Sequence, residues 1–393
     1  MKKALRKIHL WLSVPTGIII TLVCFSGAML VFEKEITEAI KPELYFVKEA
    51  KGEPIPMQQL MEKVEETLPD SVSISGVTVF ADSTRTYQVS LSKPRRASIY
   101  VNQYTGEVTG RSERLPFFNT MFRLHRWLLG SSSGVGKLLT GICTLVLVFI
   151  LITGILMWLT NRNKPLKASL AIHVTKGWGR FWHDLHVAGG IYTTIFLLAM
   201  ALTGLTWSFS WYRTGFYACF GVESSEKGGA HGEGGNSHGE GRGSRGEGRY
   251  SHGDGRNNHE GKRGEGRGFH RRSPYRHWDD VLNEVALKNP GYQQITLKPE
   301  VAEVVSEGRL SMRAADKYSY DRRSGEITDV QLYSAGNKDT KVRSGVYMVH
   351  TGSWGGIITR ILNFLAAFIG ATLPLTGYWL WFRRKRAAIA HRQ

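Results

Sequence analysis

The sequence predicts a membrane α-helical protein with four transmembrane helices in two histidine-led pairs and two small external α+β domains. Three observations predict this fold. The chain contains four apolar runs long enough to cross a hydrocarbon core of about 30 Å, its halves repeat each other's motifs, and polar segments with strand-like alternation separate the runs. The runs cover roughly residues 10–32, 138–159, 187–211 and 355–382.

A histidine stands at the entrance to each apolar run, and the runs match in pairs. The first and third share a spacing, because a Ser/Thr-Gly pair follows the histidine at the same distance. The second and fourth share an ending, in which a Thr-Gly pair precedes a tryptophan. The chain is therefore an internal duplication. The matching residues are His9 with Ser26-Gly27, His186 with Thr203-Gly204, His125 with Thr153-Gly154 and Trp158, and His350 with Thr376-Gly377 and Trp381.

The positive charge of the chain indicates its orientation rather than a nucleic-acid partner. The formal net charge is +18, and much of it flanks the apolar runs. By the positive-inside rule both termini are cytoplasmic, and the segments 33–120 and 212–349 lie outside. The first run follows basic residues, as a signal peptide does, but its apolar core is too long for one. It is therefore predicted to be a retained anchor.

Each half of the chain is predicted to carry a small external domain between its two spans. Alternating stretches before Gly-Glu turns predict paired strands, with the turns at Gly106 and Gly325. Helix-like segments precede them at 57–68 and 277–288. The predicted units are a first transmembrane helix at 1–33, an external domain at 34–116, a second transmembrane helix with a preceding interfacial segment at 117–160, a cytoplasmic loop at 161–181, a third transmembrane helix at 182–212, a second external domain at 213–345, a fourth transmembrane helix at 346–383 and a cytoplasmic tail at 384–393.

A tract of Gly, His, Glu, Arg, Ser and Asn at 226–272 has almost no apolar residues and is predicted to be a disordered insertion. Its widely spaced histidines are candidates for loose transition-metal binding, and a flexible polar linker is an equal alternative. These histidines are His231, His238, His252, His259 and His270. Elsewhere in the chain, Cys24, Cys143 and Cys219 form no disulfide framework.

The four span-leading histidines sort into two groups by depth. In the predicted orientation His9 and His186 lie near the cytoplasmic surface, whereas His125 and His350 lie near the outer surface. Two axial imidazoles are what a six-coordinate haem iron requires, so each pair is predicted to hold one haem. His183, three residues before His186 on the same helix face, is an alternative ligand or a second hydrogen-bonding group.

Glycines at the far ends of the spans are predicted to make room for the porphyrin. Gly27 and Gly204 are assigned to the outer haem, and Gly154 and Gly377 to the inner one. Close packing of membrane helices without a cofactor is the alternative interpretation of these glycines. Arg360 lies inside the fourth span, where an unpaired charge is costly, and it is predicted to meet a haem propionate.

These motifs resemble those of the PepSY-associated transmembrane helix family of bacterial membrane proteins. The resemblance covers nearly the whole chain except the tract at 226–272. The residues that carry it are His9-Leu10-Trp11-Leu12 with Ser26-Gly27, Leu124-His125-Arg126-Trp127-Leu128, Trp182-His183-Asp184-Leu185-His186 with Thr203-Gly204, the two Gly-Glu turns, and Thr376-Gly377.

The resemblance implies an inner-membrane protein with two periplasmic PepSY-like domains, and some members of the family carry b-type haems and reduce ferric siderophores. The hypothesis is an oxidoreductase, similar to ferric reductases, with two haem b groups. They would pass electrons from a separate donor on the cytoplasmic or quinone side to a ferric siderophore-type complex in the periplasm. One alternative is a cofactor-free protein that binds or senses a partner, and another is a metal-handling accessory in iron uptake. No residue is assigned as catalytic.

Overall fold

The computed structural model describes residues 2–50, 52–94, 97–160, 166–222, 273–309 and 314–390. The predicted insertion at 226–272 and its five histidines lie outside the described residues.

The first half of the chain forms a long helix, a four-stranded unit and a second long helix. Its helices and strands are α1 (Lys2–Leu30), α2 (Glu33–Ile40), α3 (Pro42–Tyr45), α4 (Met57–Glu66), β1 (Ile74–Phe80), β2 (Tyr87–Leu91), β3 (Ser98–Val101), β4 (Val108–Arg111), α5 (Pro116–Trp127) and α6 (Val135–Leu159).

The second half repeats this order with additional short helices. It contains a 3₁₀ turn (Leu166–Ser169), α7 (Trp178–Asp184), a π-helical turn (Leu185–Gly189), α8 (Gly190–Ser208), α9 (Ser210–Ala218), α10 (Trp278–Lys288), β5 (Tyr292–Lys298), β6 (Val301–Ser306), β7 (Asp316–Tyr320), β8 (Ile327–Gln331), α11 (Lys338–Thr351), a 3₁₀ turn (Ser353–Gly355) and α12 (Gly356–Ala390).

Four helical segments in the described part of the chain are long and apolar enough to span a membrane, which confirms the predicted spans. Each is longer than its apolar run, because helical turns with polar residues extend it at one or both ends. α1 packs against α6 and α12, and α8 packs against the same two helices. The segments are Lys2–Leu30, Val135–Leu159, Trp178–Ser208 and Ser353–Arg386.

The strands of both halves form one antiparallel sheet of eight strands, in the order β4-β3-β2-β1-β5-β6-β7-β8. The two units that the sequence separates into an N-terminal and a C-terminal domain meet at its centre, where Val77 pairs with Leu297 and Phe80 with Gln294. We call the end of the helix bundle that carries the sheet the sheet end. The opposite end, where α1 begins and α12 ends, is the terminal end.

One hydrophobic core serves both halves of the sheet. Helices α4 and α10 lie on the same face and bury apolar side chains at helical spacing, including Leu60 and Val64 of α4 and Val281 and Val285 of α10. Both carboxylate oxygens of Asp279 on α10 accept the backbone N–H of Met57 at 2.9 Å, so the second half of the chain caps α4 of the first half. An unsatisfied N–H at a helix start is thereby paired.

The predicted turns lie where the sequence places them. Gly106 and Gly325 have φ angles of +76° and +78°, a region that favours glycine because it lacks a Cβ. Gly106 joins β3 to β4, and Gly325 joins β7 to β8, so the internal duplication extends to the backbone conformation of equivalent turns.

Candidate functional site

The helix bundle brings the four span-leading histidines together in two pairs, one near each end. The ring centroids of His9 and His186 are 6.5 Å apart, with an interplanar angle of 90°. Those of His125 and His350 are 6.1 Å apart, with an interplanar angle of 56°. Each pair joins one histidine from each half of the chain, at the terminal end and at the sheet end respectively.

Each imidazole lies in a recess on a neighbouring helix that is built from the same three residues. The recess consists of a backbone carbonyl, a Ser or Thr three positions later, and the glycine that follows. We call this arrangement a Ser/Thr-Gly notch. The four notches are Val23 with Ser26-Gly27 on α1, Ile150 with Thr153-Gly154 on α6, Met200 with Thr203-Gly204 on α8, and Leu373 with Thr376-Gly377 on α12.

The terminal-end histidines lie in the notches of α6 and α12. His9 Nδ1 is 3.0 Å from Thr153 Oγ1, and the ring also hydrogen-bonds to the backbone of Ile150. His186 Nδ1 is 3.0 Å from Thr376 Oγ1 and 3.1 Å from the carbonyl of Leu373. The two notches therefore hold their rings by equivalent atoms.

The sheet-end histidines lie in the notches of α1 and α8. His125, on the short helix α5, places Nδ1 2.9 Å from the carbonyl of Val23. His350, on α11, places Nδ1 2.9 Å from the carbonyl of Met200 and 3.2 Å from Thr203 Oγ1. Each notch holds a histidine of its own half of the chain, whereas each histidine pair joins the two halves.

The notch glycines admit the imidazole rings themselves. A Cβ built on Gly27 would lie 2.8 Å from Cε1 of His125, and one on Gly204 would lie 3.1 Å from Cε1 of His350. At the terminal end the corresponding distances are 3.3 Å from Gly377 to His186 and 3.6 Å from Gly154 to His9. Gly27 and Gly204 therefore lie at the sheet end and Gly154 and Gly377 at the terminal end, and the group that each directly accommodates is a histidine.

The hydrogen bonds of the notches define the chemistry that the imidazoles can offer. A carbonyl oxygen only accepts, so a ring nitrogen bonded to it donates its hydrogen. In a neutral imidazole with a hydrogen on Nδ1, the lone pair is on Nε2. Metal-binding histidines usually donate their other N–H to a carbonyl or carboxylate, which orients the ring. The notches thus give all four histidines the tautomer of an Nε2 ligand.

Arg360 has a different environment from the one predicted. Its guanidinium donates to both carboxylate oxygens of Glu35 on α2, at 2.5 and 2.8 Å, and to the carbonyl of Val31. It also lies 5.1 Å from the ring centroid of Phe32. The hydrogen bonds from Arg360 lower the pKa of the Glu35 carboxyl below its ordinary value. The arginine therefore joins α12 to the end of α1 and to α2.

Other cations act electrostatically on the histidine pairs. The charge of Arg126, which follows His125 in α5, acts on both rings of the sheet-end pair. The charge of Arg384 on α12 acts on His186 at the terminal end. Both arginines are exposed or half-exposed at the ends of the bundle.

Sequence reasoning missed a buried carboxylate at the terminal end. Asp184 is 4% exposed and accepts hydrogen bonds from the side chains of His173, Arg180 and His183. Asp184 lies between the two candidate ligands in the sequence His183-Asp184-Leu185-His186. A carboxylate beside two histidines, just before the third apolar run, was the available signal, since ionisable residues near membrane depth usually mark functional sites.

Aromatic and sulfur groups complete the surroundings of the pairs. The Trp207 ring lies 4.9 Å from the His350 ring in an edge-to-face arrangement. Cys24 and Cys143 are buried in the bundle and Cys219 is exposed, and all three are free thiols. Among the described residues, no group of three or more His, Cys, Asp or Glu side chains could hold a metal ion by itself.

Four apolar helices, with paired imidazoles at both ends of their bundle, define a multi-pass membrane protein. A family model described as the PepSY-associated TM region matches residues 6–384, and the chain therefore belongs to this family. No curated protein matches the chain.

Proposed function

We propose that this protein is a haem-b electron-transfer protein of the bacterial inner membrane. It takes electrons from a separate donor on the cytoplasmic or quinone side and reduces a ferric, siderophore-type complex on the periplasmic side. In this proposal the terminal end of the bundle is cytoplasmic, both chain termini lie there, and the eight-stranded sheet is periplasmic.

The single observation that carries the proposal is the spacing of the imidazoles in both pairs. A metal–imidazole bond is about 2 Å long. Two imidazole rings that share one metal ion through Nε2 would therefore have centroids about 6 Å apart. The observed separations of 6.5 and 6.1 Å agree with this value. The same separation at both ends favours two similar haem sites.

The chain's own residues would orient and insulate such a centre. His9 and His186 would bind the inner haem iron, and His125 and His350 the outer one. The notch carbonyls would keep the hydrogen on Nδ1 and hold each ring in position. When bound, a haem held by two of these imidazoles would supply one-electron transfer.

Cations near the pairs would meet the haem propionates. Arg126 at the sheet end and Arg384 at the terminal end act on the histidine rings electrostatically. Arg360, the candidate predicted from the sequence, donates hydrogen bonds to Glu35 at the sheet end. The places of Arg126 and Arg384 near the ends of the bundle suit carboxylates that point towards water.

Two centres would divide the bilayer into shorter electron-transfer steps. His9 and Gly27 are separated by 18 residues of α1, a distance of about 27 Å at 1.5 Å per residue. Gly27 is at the His125 site, so α1 contributes to both centres. Buried apolar residues, including Ile20, Leu151 and Leu197, occupy the part of the bundle between them.

The visible spectrum of the purified protein tests the proposal. Protein from haem-sufficient cells is expected to show a Soret band and sharp α and β bands after reduction. His125→Ala and His350→Ala should each remove the sheet-end signal, and His9→Ala and His186→Ala the terminal-end signal. His277→Ala provides a matched control, because His277 lies at the start of α10 in the sheet domain.

A colourless wild-type protein would contradict the proposal and would favour a cofactor-free binding or sensing protein. Haem spectra that survive all four replacements would also contradict it. A further measurement, the reduction of an added ferric siderophore by the pre-reduced protein, tests the acceptor class.

A further inference from the structure

The carboxylate of Asp184 connects a loop to the helix that carries His186. Asp184 Oδ2 lies 2.7 Å from His173 Nδ1, 3.3 Å from the backbone N of His173 and 2.8 Å from Arg180 Nε. Its other oxygen, Oδ1, lies 3.3 Å from His183 Nδ1. The side chain is almost completely buried, so all these donors converge on a carboxylate from which water is largely excluded.

The loop that carries His173 is also attached to two transmembrane helices. Trp158 Nε1, at the end of α6, donates to Ser169 Oγ at 2.6 Å. The hydroxyl of Tyr192 on α8 donates to the carbonyl of Leu170 at 3.0 Å. Three separate hydrogen-bonded contacts therefore hold residues 169–173 against the terminal end of the bundle. The Asp184 contact is the one adjacent to the histidine pair.

The helix changes its geometry immediately after Asp184. Residues Leu185–Gly189 form a π-helical turn between α7 and α8, and His186 lies within it. A π-helical turn holds more residues than an α-helical turn and occurs frequently at functional sites. His186 lies within this turn, whereas His183 precedes it. His186 contacts the notch of α12, whereas the ring of His183 contacts Asp184.

We propose that Asp184 is a positioning residue that selects His186, rather than His183, as the ligand at the terminal-end pair. This inference rests on the proposed function. The carboxylate holds Nδ1 of His183 and fixes the last turn of α7 through Arg180, and both contacts keep His183 away from His9. Anchoring to His173 joins the same turn to the loop, so that the π-helical turn begins at a fixed point.

The internal duplication supports this division of roles. Arg6 precedes His9 by three residues, as His183 precedes His186. In the first half the equivalent position is thus a cation that cannot serve as an iron ligand. In both halves this position, occupied by Arg6 or by His183, lies at the polar end of the helix. A competing imidazole exists only in the second half, and there the neighbouring carboxylate contacts it.

The test uses the low-spin electron paramagnetic resonance signal of the terminal-end haem. This signal is identified as the one that the His9→Ala variant lacks. His183→Ala is expected to leave this signal in place. Asp184→Asn should weaken haem binding at this site by about 10- to 100-fold, as loss of a supporting contact does at metal sites. It should also split the remaining signal, because His183 and His186 then compete. Asp184→Asn combined with His183→Ala should restore a single signal.

Two comparisons separate positioning from a general loss of stability. Glu35→Gln breaks a carboxylate–arginine pair at the sheet end and should leave the terminal-end signal unchanged. His173→Gln alters the loop contact without touching α7 and should produce a smaller change in the same direction as Asp184→Asn. Removing a second side chain rescues a positioning defect but does not rescue a folding defect.

An unchanged, single signal in Asp184→Asn would overturn the inference, and so would a double variant with the same split signal as Asp184→Asn. Both results leave the proposed function intact, because the wild-type protein still contains haem at this end. A wild-type protein without any low-spin haem signal would overturn the proposed function and this inference together.

Discussion

At the scale of single residues, the small side chains of the transmembrane helices have specific partners. The sequence shows that Ser/Thr-Gly pairs recur, and it also allows that they serve only for close helix packing. In the structure each notch glycine faces one particular imidazole. The Thr before the glycine lies beside the same ring in three notches, and Ser26 in the fourth donates to the Val23 carbonyl that binds His125. The recurrence is therefore explained by histidine placement.

Gly27→Ala is expected to displace the His125 ring, because the added Cβ would lie 2.8 Å from Cε1 of that ring. Overpacking of this kind costs about 1–3 kcal/mol. We expect the sheet-end haem signal to decrease while the terminal-end signal persists. Redox-difference spectra of the purified variant measure both.

Gly154→Ala is the matched comparison at the other end of the bundle. Its Cβ would lie 3.6 Å from Cε1 of His9, which is an ordinary van der Waals contact. The loss of terminal-end signal should therefore be smaller than the sheet-end loss in Gly27→Ala. Equal losses in both variants, or a larger one in Gly154→Ala, would contradict this account of the notches.

Arg360 shows why residue contacts could not be completed from sequence. The cost of a charge within an apolar run indicated a partner for the guanidinium, and the partner predicted from the sequence was a haem propionate. In the structure its partner is Glu35, 325 positions earlier in the chain. No local spacing relates the two residues, because their contact depends on how α1 and α12 pack.

At the scale of helices, short segments outside the apolar runs deliver functional side chains. His125 and His350 are carried by α5 and α11, which precede the transmembrane helices α6 and α12. Hydropathy detects the long helices because they are uniformly apolar, but the short helices are polar on one side. Their position over the notches of α1 and α8 results from tertiary packing. The Arg360–Glu35 pair holds α2 and α12 together at this end.

The contribution of the Arg360–Glu35 pair to the free energy of unfolding should depend on pH. The folded-state pKa of Glu35 is lowered by its hydrogen bonds from Arg360. Its contribution is therefore present above about pH 4.3, the ordinary pKa of a glutamate. It is lost as the pH falls through the lowered folded-state value. Because Glu35 is partly exposed, we expect the pair to stabilise the folded state by about 0.2–1 kcal/mol at neutral pH.

Thermal unfolding of wild type and Glu35→Gln in detergent, measured from pH 7 to pH 3, checks this expectation. The wild type should unfold at a higher temperature at neutral pH, and the difference should shrink with acidification. Replacing Arg360 by Gln as well should remove the pH-dependent difference. A difference that persists unchanged at the acidic end would show that the ion pair is not its cause.

At the scale of the whole molecule, the two halves of the duplicated chain contact each other both in the sheet and in the helix bundle. The sheet joins the two halves through β1 and β5, and the bundle joins them through the two histidine pairs. Within the sheet, one core contains Leu60 of the first half together with Val281 and Leu297 of the second. Neither four-stranded unit has a complete core of its own.

Residues 34–116 alone are expected not to fold cooperatively. Separation exposes the hydrogen-bonding edge of β1 and removes α10 and β5 from the shared core. The fragment also loses Asp279, whose carboxylate caps α4. Circular dichroism during heating and the dispersion of amide NMR signals measure the outcome.

The matched control joins 34–116 to 273–337 through a flexible linker and therefore contains all eight strands. It should show dispersed amide signals and a cooperative thermal transition. A cooperative transition in 34–116 alone would contradict the single-core description and would support two independent domains.

The sequence by itself determined the four spans, the internal duplication, the helix and turn positions of the sheet units, and the four histidines at the span entrances. These features depend on local periodicity, composition and glycine conformation, which any segment carries within itself. The family assignment agrees with the same motifs over residues 6–384.

Only the tertiary structure decided the partners. It joined β1 to β5, gave Arg360 to Glu35, placed the notch glycines against imidazoles and surrounded Asp184 with three donors. Most of these contacts join residues from different helices, strands or loops, many of them far apart in the chain. Their distances are set by how apolar surfaces pack between helices and strands, and a linear pattern of residue types does not contain that information.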